Sequence, residues 1–359
     1  MHKKLFIPGP TEVREDVLIS QAAPMIGHRM KSFSDLYGSI NDKFHKLFKT
    51  EHEIYVHTSS GTGLMEAASR NFINKKALHT VCGAFSKRWA DISKSNGKEI
   101  GVIEVDMGKA IKPEMIDREL SKGEYDTLMV TQNETSTGVK NPVKEIGELL
   151  KEKYPDVLLL VDSVSSFMGM EIGFETWGVD VVVASSQKAF ALPPGIAIMT
   201  ISKRSFERAK EVKNRGFYFD VLKMKKYFDE KPYQTLSTPA ISLFYALDYQ
   251  LSRILNEGLD ERYRRHKEMA GFVREWAKRY FALFAEQGYE SDTVTAIKNT
   301  RGVSIKDLNN ELGNRGMALS NGYGALKEKT FRIAHMGDIT LGEIKDLIAN
   351  INEIINLGV

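Results

Sequence analysis

The sequence predicts an α/β fold with a mostly parallel central sheet in a large domain, and two observations indicate it. Up to about Ser242, apolar runs rich in β-branched residues alternate with stretches of helical spacing. Some of these runs are apolar at nearly every position, which is typical of strands buried on both faces of a parallel sheet. The rest of the chain has long helical stretches and a few short strands, so we expect a small C-terminal α+β domain.

The elements of the large domain follow in chain order. The first residues, to about Glu15, predict an arm with extended structure around Pro8-Gly9-Pro10. The runs that predict strands are EIYVHTSS (53–60), TLMVTQNE (127–134), VLLLVDSVSS (157–166), VDVVVASS (179–186) and GIAIMTIS (195–202). The runs that predict helices are GTGLMEAASRNFI (61–73) and VKEIGELLKEKY (143–154).

The elements of the small domain complete the chain. Helices are predicted by ISLFYALDYQLSRILNEG and DERYRRHKEMAGFVREWAKRYFALFAEQG, and short strands by TVTAIK (293–298) and FRIAHMG (331–337). The last helix begins after Thr340, because Glu343 three residues later completes a capping box. We therefore assign residues 1–15 to the arm, 16–242 to the large domain and 243–359 to the small domain.

Composition narrows the classes of function. The 50 basic and 47 acidic side chains give a net charge of +3, so we expect neither nucleic acid nor a membrane surface as partner. No apolar run approaches the ~20 residues of a membrane span. The single cysteine, Cys82, excludes an internal disulfide and a thiolate metal site within the chain. We expect no metal, and a cytoplasmic location is the simplest interpretation.

Residues capable of chemistry follow three of the predicted strands, where ligands bind in an open parallel sheet. The first strand leads into Ser60-Gly61-Thr62 at the start of a helix, and small residues at a helix N-terminus suit a phosphate. Asp162 ends the run VLLLV, and a buried carboxylate needs a partner. Lys188 follows the next strand 26 residues later, about the length of one crossover between neighbouring strands.

Pyridoxal 5′-phosphate is a cofactor that uses all three features. Its phosphate suits a helix N-terminus, its pyridine nitrogen suits a carboxylate, and its aldehyde forms a Schiff base with a lysine. Simpler interpretations stay open at this point: Asp162 could cap the next turn, or could form a plain salt bridge with Lys188. Neither explains the glycine-rich turn or the Pro-Pro-Gly that follows Lys188.

Motifs along nearly the whole chain resemble the class V aminotransferases of fold type I, specifically the alanine–glyoxylate / serine–pyruvate aminotransferase group. Any one motif is weak, but the full set in this order is specific. In chain order the motifs are PGPTEV, MIGHR, SSGTGLMEAA, GAFSKRW, ETSTGV, VDSVSS, SSQKAFALPPG and RIAHMG.

The resemblance implies a role for each cofactor-binding residue. Lys188 is expected to form the internal Schiff base and to move the substrate proton, and Asp162 to hold the protonated pyridine nitrogen. The remaining expected contacts are Ser60, Gly61, Thr62 and Gln187 near the phosphate, Phe85 and Val164 on the two ring faces, and Thr135 beside the ring O3′. Many relatives have Trp or His where this chain has Phe85, and a core phenylalanine is the alternative reading.

The resemblance also implies substrate and subunit contacts. Arg332 is expected to bind the substrate carboxylate, because a guanidinium offers a planar fork to it. Gly9 and Pro10 are expected to line the substrate pocket. The segment YQTLSTPAISL (233–243) resembles a loop that reaches the phosphate of the neighbouring subunit, with either Thr235 or Ser237 as the hydroxyl. A homodimer with sites at its interface is therefore expected.

The expected reaction is ping-pong transamination through Lys188, between alanine or serine and glyoxylate or pyruvate. One alternative is a cysteine desulfurase or another lyase on the same fold, although Cys82 lies early in the chain where a mobile cysteine is not expected. A second is an aminotransferase for phosphoserine or aminoethylphosphonate, which would need additional basic residues in the pocket. A third is an accessory subunit that keeps the cofactor site without catalysis.

Overall fold

The protein is described by a computed structural model covering residues 2–357, so Met1 of the predicted arm and residues 358–359 of the predicted small domain lie outside the described residues. The strands are β1 (Lys4–Phe6), β2 (Glu53–Thr58), β3 (Lys76–Val81), β4 (Glu99–Glu104), β5 (Thr127–Thr131), β6 (Asn133–Glu134), β7 (Val139–Lys140), β8 (Leu158–Asp162), β9 (Val181–Ser185), β10 (Ile196–Ile201), β11 (Ala282–Leu283), β12 (Val294–Lys298), β13 (Met317–Asn321) and β14 (Thr330–Ala334).

The helices are α1 (Glu15–Ser20), α2 (Lys31–Phe48), α3 (Gly61–Phe72), α4 (Ala84–Ser95), α5 (Pro113–Leu120), α6 (Val143–Lys153), α7 (Phe174–Trp177), α8 (Lys203–Glu211), α9 (Val221–Glu230), α10 (Ile241–Glu257), α11 (Leu259–Tyr280), α12 (Ile305–Asn314) and α13 (Leu341–Ile354). A short 3₁₀ helix spans Gly324–Leu326. No helix among residues 2–357 combines the length and apolar character that crossing a membrane requires.

The large sheet has seven strands in the order β2-β10-β9-β8-β5-β3-β4. Every pair from β9 through β4 is parallel, which confirms the predicted α/β fold. Strand β10 is the exception, because it runs antiparallel to both β9 and β2. The chain returns from β9 to β10 through the Pro193-Pro194-Gly195 loop with no crossover helix, and a connection that short joins only antiparallel neighbours.

Two apolar cores cover the two faces of this sheet. Side chains alternate along each strand, so Val182 and Ala184 of β9 face one core while Val181 and Val183 face the other. Helices α2, α6 and α10 contribute to the first core, and helices α3 and α8 contribute to the second. Burial on both faces is the physical reason for the continuous apolar runs in the sequence.

The small sheet has five strands in the order β1-β13-β14-β12-β11. Strand β1 belongs to the arm and pairs in parallel with β13, so the arm is an edge strand of the small sheet. The predicted capping box at Thr340 and Glu343 is present at the start of α13. The predicted domain boundary at residues 242 and 243 falls within α10, whose buried residues belong to the first core of the large sheet, and it stays a prediction.

Several predicted elements are too long. Strand β2 ends at Thr58, because Ser60 already caps α3, and β8 ends at Asp162, because Ser163 accepts the first hydrogen bonds of a series of turns. The predicted helix through Gly288 ends at Tyr280. Beyond that point Ala282 and Leu283 pair with β12 instead, since extending the sheet satisfies their backbone groups.

Candidate active site

The carboxyl edge of the large sheet brings together the residues that the sequence singled out. Strands β2, β8 and β9 run in the same direction, so their carboxyl ends meet at one edge. Asp162 is the last residue of β8, and Lys188 lies three residues beyond the end of β9. Ser60 lies two residues beyond β2 at the start of α3. A Cβ at Gly61 would come 2.6 Å from Val164 Cγ2, so the helix start touches the turn after Asp162.

The arm and the small domain's longest helix hold the loop that carries Lys188. The Lys188 ammonium donates a hydrogen bond to the carbonyl oxygen of Pro8 in the arm. Thr11 fastens the same loop, since its hydroxyl donates to the Lys188 carbonyl at 2.9 Å. From α11, the buried Arg262 donates to the carbonyl of Ala189 at 2.8 Å. The loop therefore has contacts on both sides, and the lysine side chain is fixed in one direction.

Burial lowers the pKa of Lys188 from 10.5 to about 8. The positive charges of Arg332 and Arg88 contribute to this lowered pKa, while the Asp162 carboxylate opposes it. An amine with a pKa near 8 is partly neutral at physiological pH, which is the form that attacks an aldehyde or accepts a proton.

Asp162 is a buried carboxyl group with few partners. Its Oδ1 accepts a hydrogen bond from the backbone N–H of Val164 at 2.8 Å, and its Oδ2 accepts a longer one from Thr131 Oγ1 at 3.3 Å. The pKa of Asp162 is raised to about 7, chiefly by burial, and the nearby Glu134 carboxylate contributes to this rise. Within residues 2–357 no cation forms a salt bridge with Asp162, so the site offers a buried carboxylate to a positively charged ligand group.

Ser60, Gly61 and Thr62 lie at the start of α3 and are named here the cup, the predicted phosphate site. Ser60 caps the helix, with its Oγ accepting from the N–H of Gly63 at 3.4 Å. The hydroxyl-bearing Ser60 and Thr62 are exposed, while Gly61 between them is buried. Val164 leaves no room for a side chain at Gly61, and the first N–H groups of a helix suit an anion. Gln187 points its amide oxygen at Ser185, whose hydroxyl donates to it.

Phe85 lies at the start of α4 and is held by Glu134, a residue that the sequence reasoning did not single out. The fully buried Glu134 carboxylate accepts from the N–H of Phe85 at 3.1 Å and the N–H of Ser86 at 2.9 Å. A carboxylate at a helix N-terminus is stabilised by the helix dipole. The signal was available, because Glu134 is the last residue of the predicted strand TLMVTQNE (127–134).

Arg332 lies on β14 and reaches the same site from the small sheet. Its Nη1 donates to the carbonyl of Thr135 at 3.3 Å, and its Nη2 donates to the carbonyl of Asn321 at 3.1 Å. The Thr135 hydroxyl donates to Ser165 Oγ at 2.8 Å. Arg332 is only 8% exposed, and within residues 2–357 it contacts no carboxylate. Burial lowers its pKa, so an anionic ligand group would be strongly favoured beside it.

The structure does not bring Thr235 and Ser237 to Lys188 of their own chain. The Thr235 hydroxyl donates to the Ser237 carbonyl at 2.7 Å, and Arg29 donates to the Thr235 carbonyl at 2.6 Å. Their loop lines a cavity together with Tyr37, Tyr218 and residues of β2. Gly9 and Pro10, by contrast, lie in the arm segment beside Lys188.

Comparison with known proteins identifies the family. Residues 16–337 match the family model described as "Aminotransferase class-V". The chain belongs to the class-V aminotransferase family. This aminotransferase is 39% identical to an uncharacterized aminotransferase of Methanocaldococcus jannaschii, over 93% of this chain and 88% of that protein. It is 32% identical to the L-aspartate–glyoxylate aminotransferase of Paracoccus denitrificans, over 94% of this chain and 87% of that protein.

Solved structures confirm the fold of the aminotransferase. The alanine–glyoxylate aminotransferase of Nostoc sp. superposes with a TM-score of 0.92 at 26% identity, covering 99% of this chain and 96% of that one. The predicted fold type I architecture, the predicted family and the prediction of an enzyme are thereby confirmed.

The class-V family implies pyridoxal 5′-phosphate, and the residues present fit it. The buried Asp162 has no cationic partner of its own within residues 2–357, which suits a protonated pyridine nitrogen. The cup at Gly61 leaves no space for a Cβ, which suits a phosphate on the helix N-terminus. Lys188 carries an amine with a pKa of about 8, which suits attack on an aldehyde.

Gly9→Ala should disable Lys188. A Cβ at Gly9 would lie 2.5 Å from Lys188 Nζ, and its φ of +133° disfavours any residue with a side chain. We expect the rate of covalent capture of pyridoxal phosphate to fall by roughly tenfold or more. Absorbance of the Schiff base measures this rate. Gly288→Ala is the matched control, because Gly288 has φ +87° and nothing within 4 Å of a Cβ. Capture at the wild-type rate by the Gly9 variant would contradict the described packing.

The rate of cofactor capture should follow the protonation of Lys188. In cofactor-free protein the pKa of Lys188 is about 8, so the neutral amine is the major form above about that pH. The rate constant for pyridoxal phosphate capture should therefore rise between about pH 7 and about pH 9 and then level off. Asp162→Asn removes a charge that raises this pKa, so its midpoint should move to lower pH. Stopped-flow absorbance measures both, with Lys188→Met as the blank; a midpoint near the ordinary 10.5 would be inconsistent.

Proposed function

We propose that this aminotransferase transfers the amino group of a small amino acid, such as alanine or serine, to a 2-oxo acid, with glyoxylate favoured over pyruvate. The observation that carries the proposal is Arg332, a nearly buried guanidinium that has no carboxylate partner within residues 2–357 and whose charge lowers the pKa of Lys188. The names of the Paracoccus and Nostoc relatives support glyoxylate as the acceptor.

The proposed cofactor site uses residues from five chain segments. Bound there, pyridoxal phosphate supplies an electron sink for negative charge at the substrate Cα. The residues proposed to hold it are Ser60, Gly61, Thr62 and Gln187 at the phosphate, Asp162 at the pyridine nitrogen, Thr135 beside the ring oxygen, and Phe85 and Val164 on the ring faces. Asp162 would then be ionised, because a cationic partner lowers the pKa that burial raises to about 7.

Lys188 is proposed as the acid and base of the reaction. Its amine, with a pKa of about 8, removes the proton from the substrate Cα and holds it until it is delivered to the C4′ atom of the cofactor. The Pro8 carbonyl keeps the ammonium oriented while it carries that proton. Arg332 binds the α-carboxylate, which places the Cα proton toward the lysine. The arm covers this space and restricts water there.

The lyase alternative finds no support at Cys82. The thiol is fully buried, and burial raises its pKa to about 12. Asn141 Nδ2 lies 3.2 Å from its sulfur, so the side chain is fixed within the first core. A desulfurase needs a thiolate that reaches the substrate, and a buried neutral thiol does not supply one.

We also infer a cytoplasmic location, in keeping with this single reduced cysteine.

The decisive test is a paired assay of the holoenzyme. Alanine and glyoxylate should yield pyruvate and glycine, and cysteine should release no sulfide. Lys188→Ala should lower turnover by at least about 10³-fold, because it removes the group that moves the proton. Lys203→Ala is a control at an exposed lysine whose ion pair with Glu51 has both side chains largely exposed. Turnover by the Lys188 variant near the wild-type rate would overturn the proposal.

A homodimer with shared sites is the second part of the proposal. Thr235 and Ser237 make no contact with Lys188 in their own chain, and their loop is held by Arg29 at an exposed surface. Large apolar side chains nearby are exposed, with Met25 at 69% and Met30 at 59%. A partner covering this surface would bury them and receive the loop.

Co-expression tests whether the loop acts in the partner's site. A Lys188→Ala chain is paired with a chain carrying Thr235→Ala and Ser237→Ala, each with its own tag. If the loop serves the partner, each mixed dimer has one intact site, and activity should recover to roughly a quarter of wild type by statistical assembly. If activity stays at the level of the separate variants, the loop acts within its own chain. Light scattering gives the mass against the 40.5 kDa chain.

A further inference from the structure

We propose that Arg88 forms a second carboxylate site beside Arg332, so that amino acids with an acidic side chain, aspartate or glutamate, are better donors than alanine or serine. This inference rests on the proposed transamination and extends its donors beyond the alanine and serine named above. Arg88 lies on α4 just beyond Phe85 and has no assigned part in the cofactor site described above.

Arg88 is held over the site by two aromatic rings. Its guanidinium carbon lies 4.9 Å from the centroid of the Phe85 ring. Its Nη2 donates to the Tyr323 hydroxyl at 3.2 Å. The Phe85 and Tyr323 rings are themselves 5.3 Å apart. A guanidinium stacked on one ring and hydrogen-bonded to the next keeps other donors free for a planar acceptor.

Tyr323 brings the two arginines to one place. The guanidinium carbon of Arg332 lies 5.7 Å from the centroid of the Tyr323 ring, whose hydroxyl accepts from Arg88. Both guanidiniums therefore contact a single side chain. Both charges also lower the pKa of Lys188, so both lie within electrostatic reach of the amine. Two cations around one amine suit a substrate with two carboxylates better than a substrate with one.

Neither arginine has an anionic partner within residues 2–357. The adjacent Lys87, by comparison, pairs with Asp91 at 3.7 Å on the exposed side of α4. The buried Glu134 carboxylate also lies at the start of α4, but it accepts from the N–H groups of Phe85 and Ser86 instead. An unpaired, half-buried guanidinium is costly, and a ligand carboxylate removes that cost.

Arg332 and Arg88 would bind two different carboxylates of the same substrate. Arg332 takes the α-carboxylate that every donor has, as proposed above. Arg88 takes the side-chain carboxylate, which alanine and serine lack. With alanine or serine as donor, the Arg88 guanidinium has no carboxylate to bind, and its charged hydrogen bond to the substrate is lost. If Arg88 instead only supports the Phe85 ring, it affects all donors equally, and this difference is what the experiment measures.

The test compares donors in the holoenzyme, with glyoxylate as the common acceptor. The wild type should use aspartate or glutamate with a kcat/KM at least about tenfold above that for alanine. Arg88→Met keeps the length and the ring contact but removes the charge, and should lower the aspartate-to-alanine ratio of kcat/KM by roughly 10- to 100-fold, mainly through KM. Arg88→Lys should restore part of the ratio. Lys87→Met is the control and should leave the ratio as it is.

Binding of unreactive acids gives a second measurement. Succinate should bind the wild-type holoenzyme more tightly than propionate does in calorimetry, and Arg88→Met should remove that difference. An equal fall for aspartate and alanine in Arg88→Met, or a wild type without preference for acidic donors, would overturn the inference while transamination stands. If no donor is turned over at all, the proposed function fails, and the succinate measurement alone decides whether Arg88 binds a second carboxylate.

Discussion

The site depends on a lysine that is removed from water without a carboxylate beside it. Lys188 lies at the carboxyl edge of the large sheet, and among residues 2–357 its ammonium donates only to the carbonyl of Pro8. A carbonyl is a weaker partner for a cation than a carboxylate, so burial shifts the pKa down to about 8. The surrounding features preserve this state: Gly9 leaves space for the side chain, and Arg262 fastens the loop through the next carbonyl.

The arm links this lysine to the small sheet. Strand β1 pairs with β13, and Pro8 follows two residues after β1 ends. Asn321, the last residue of β13, accepts from the guanidinium of Arg332. The group that orients Lys188 and the group that orients Arg332 therefore belong to adjacent strands of one sheet. Any movement of the small sheet would therefore displace both groups together.

Local signals in the sequence were enough for the fold and for the residues on strand ends. Asp162, Lys188 and the cup at Ser60 each follow an apolar strand, and strand ends in a parallel sheet share an edge. The direction of β10 and the pairing of β1 with β13 were not predictable, because pairing between distant segments leaves no local pattern. Arg88 was missed for the same reason: its meaning depends on Tyr323, which is far away in the sequence.

The two buried carboxylates of the site, Glu134 and Asp162, differ in how many hydrogen bonds the protein gives them. Glu134 follows β5 and its charge is satisfied inside the protein, by N–H groups at the start of α4 and by the Ser136 hydroxyl at 2.6 Å. Asp162 ends the neighbouring β8 and accepts one good hydrogen bond and one long one. The nearby Glu134 carboxylate raises the pKa of Asp162 and so disfavours a second negative charge there. Ionisation of Asp162 then requires a cation, and a ligand that brings a protonated nitrogen is bound more tightly for that reason.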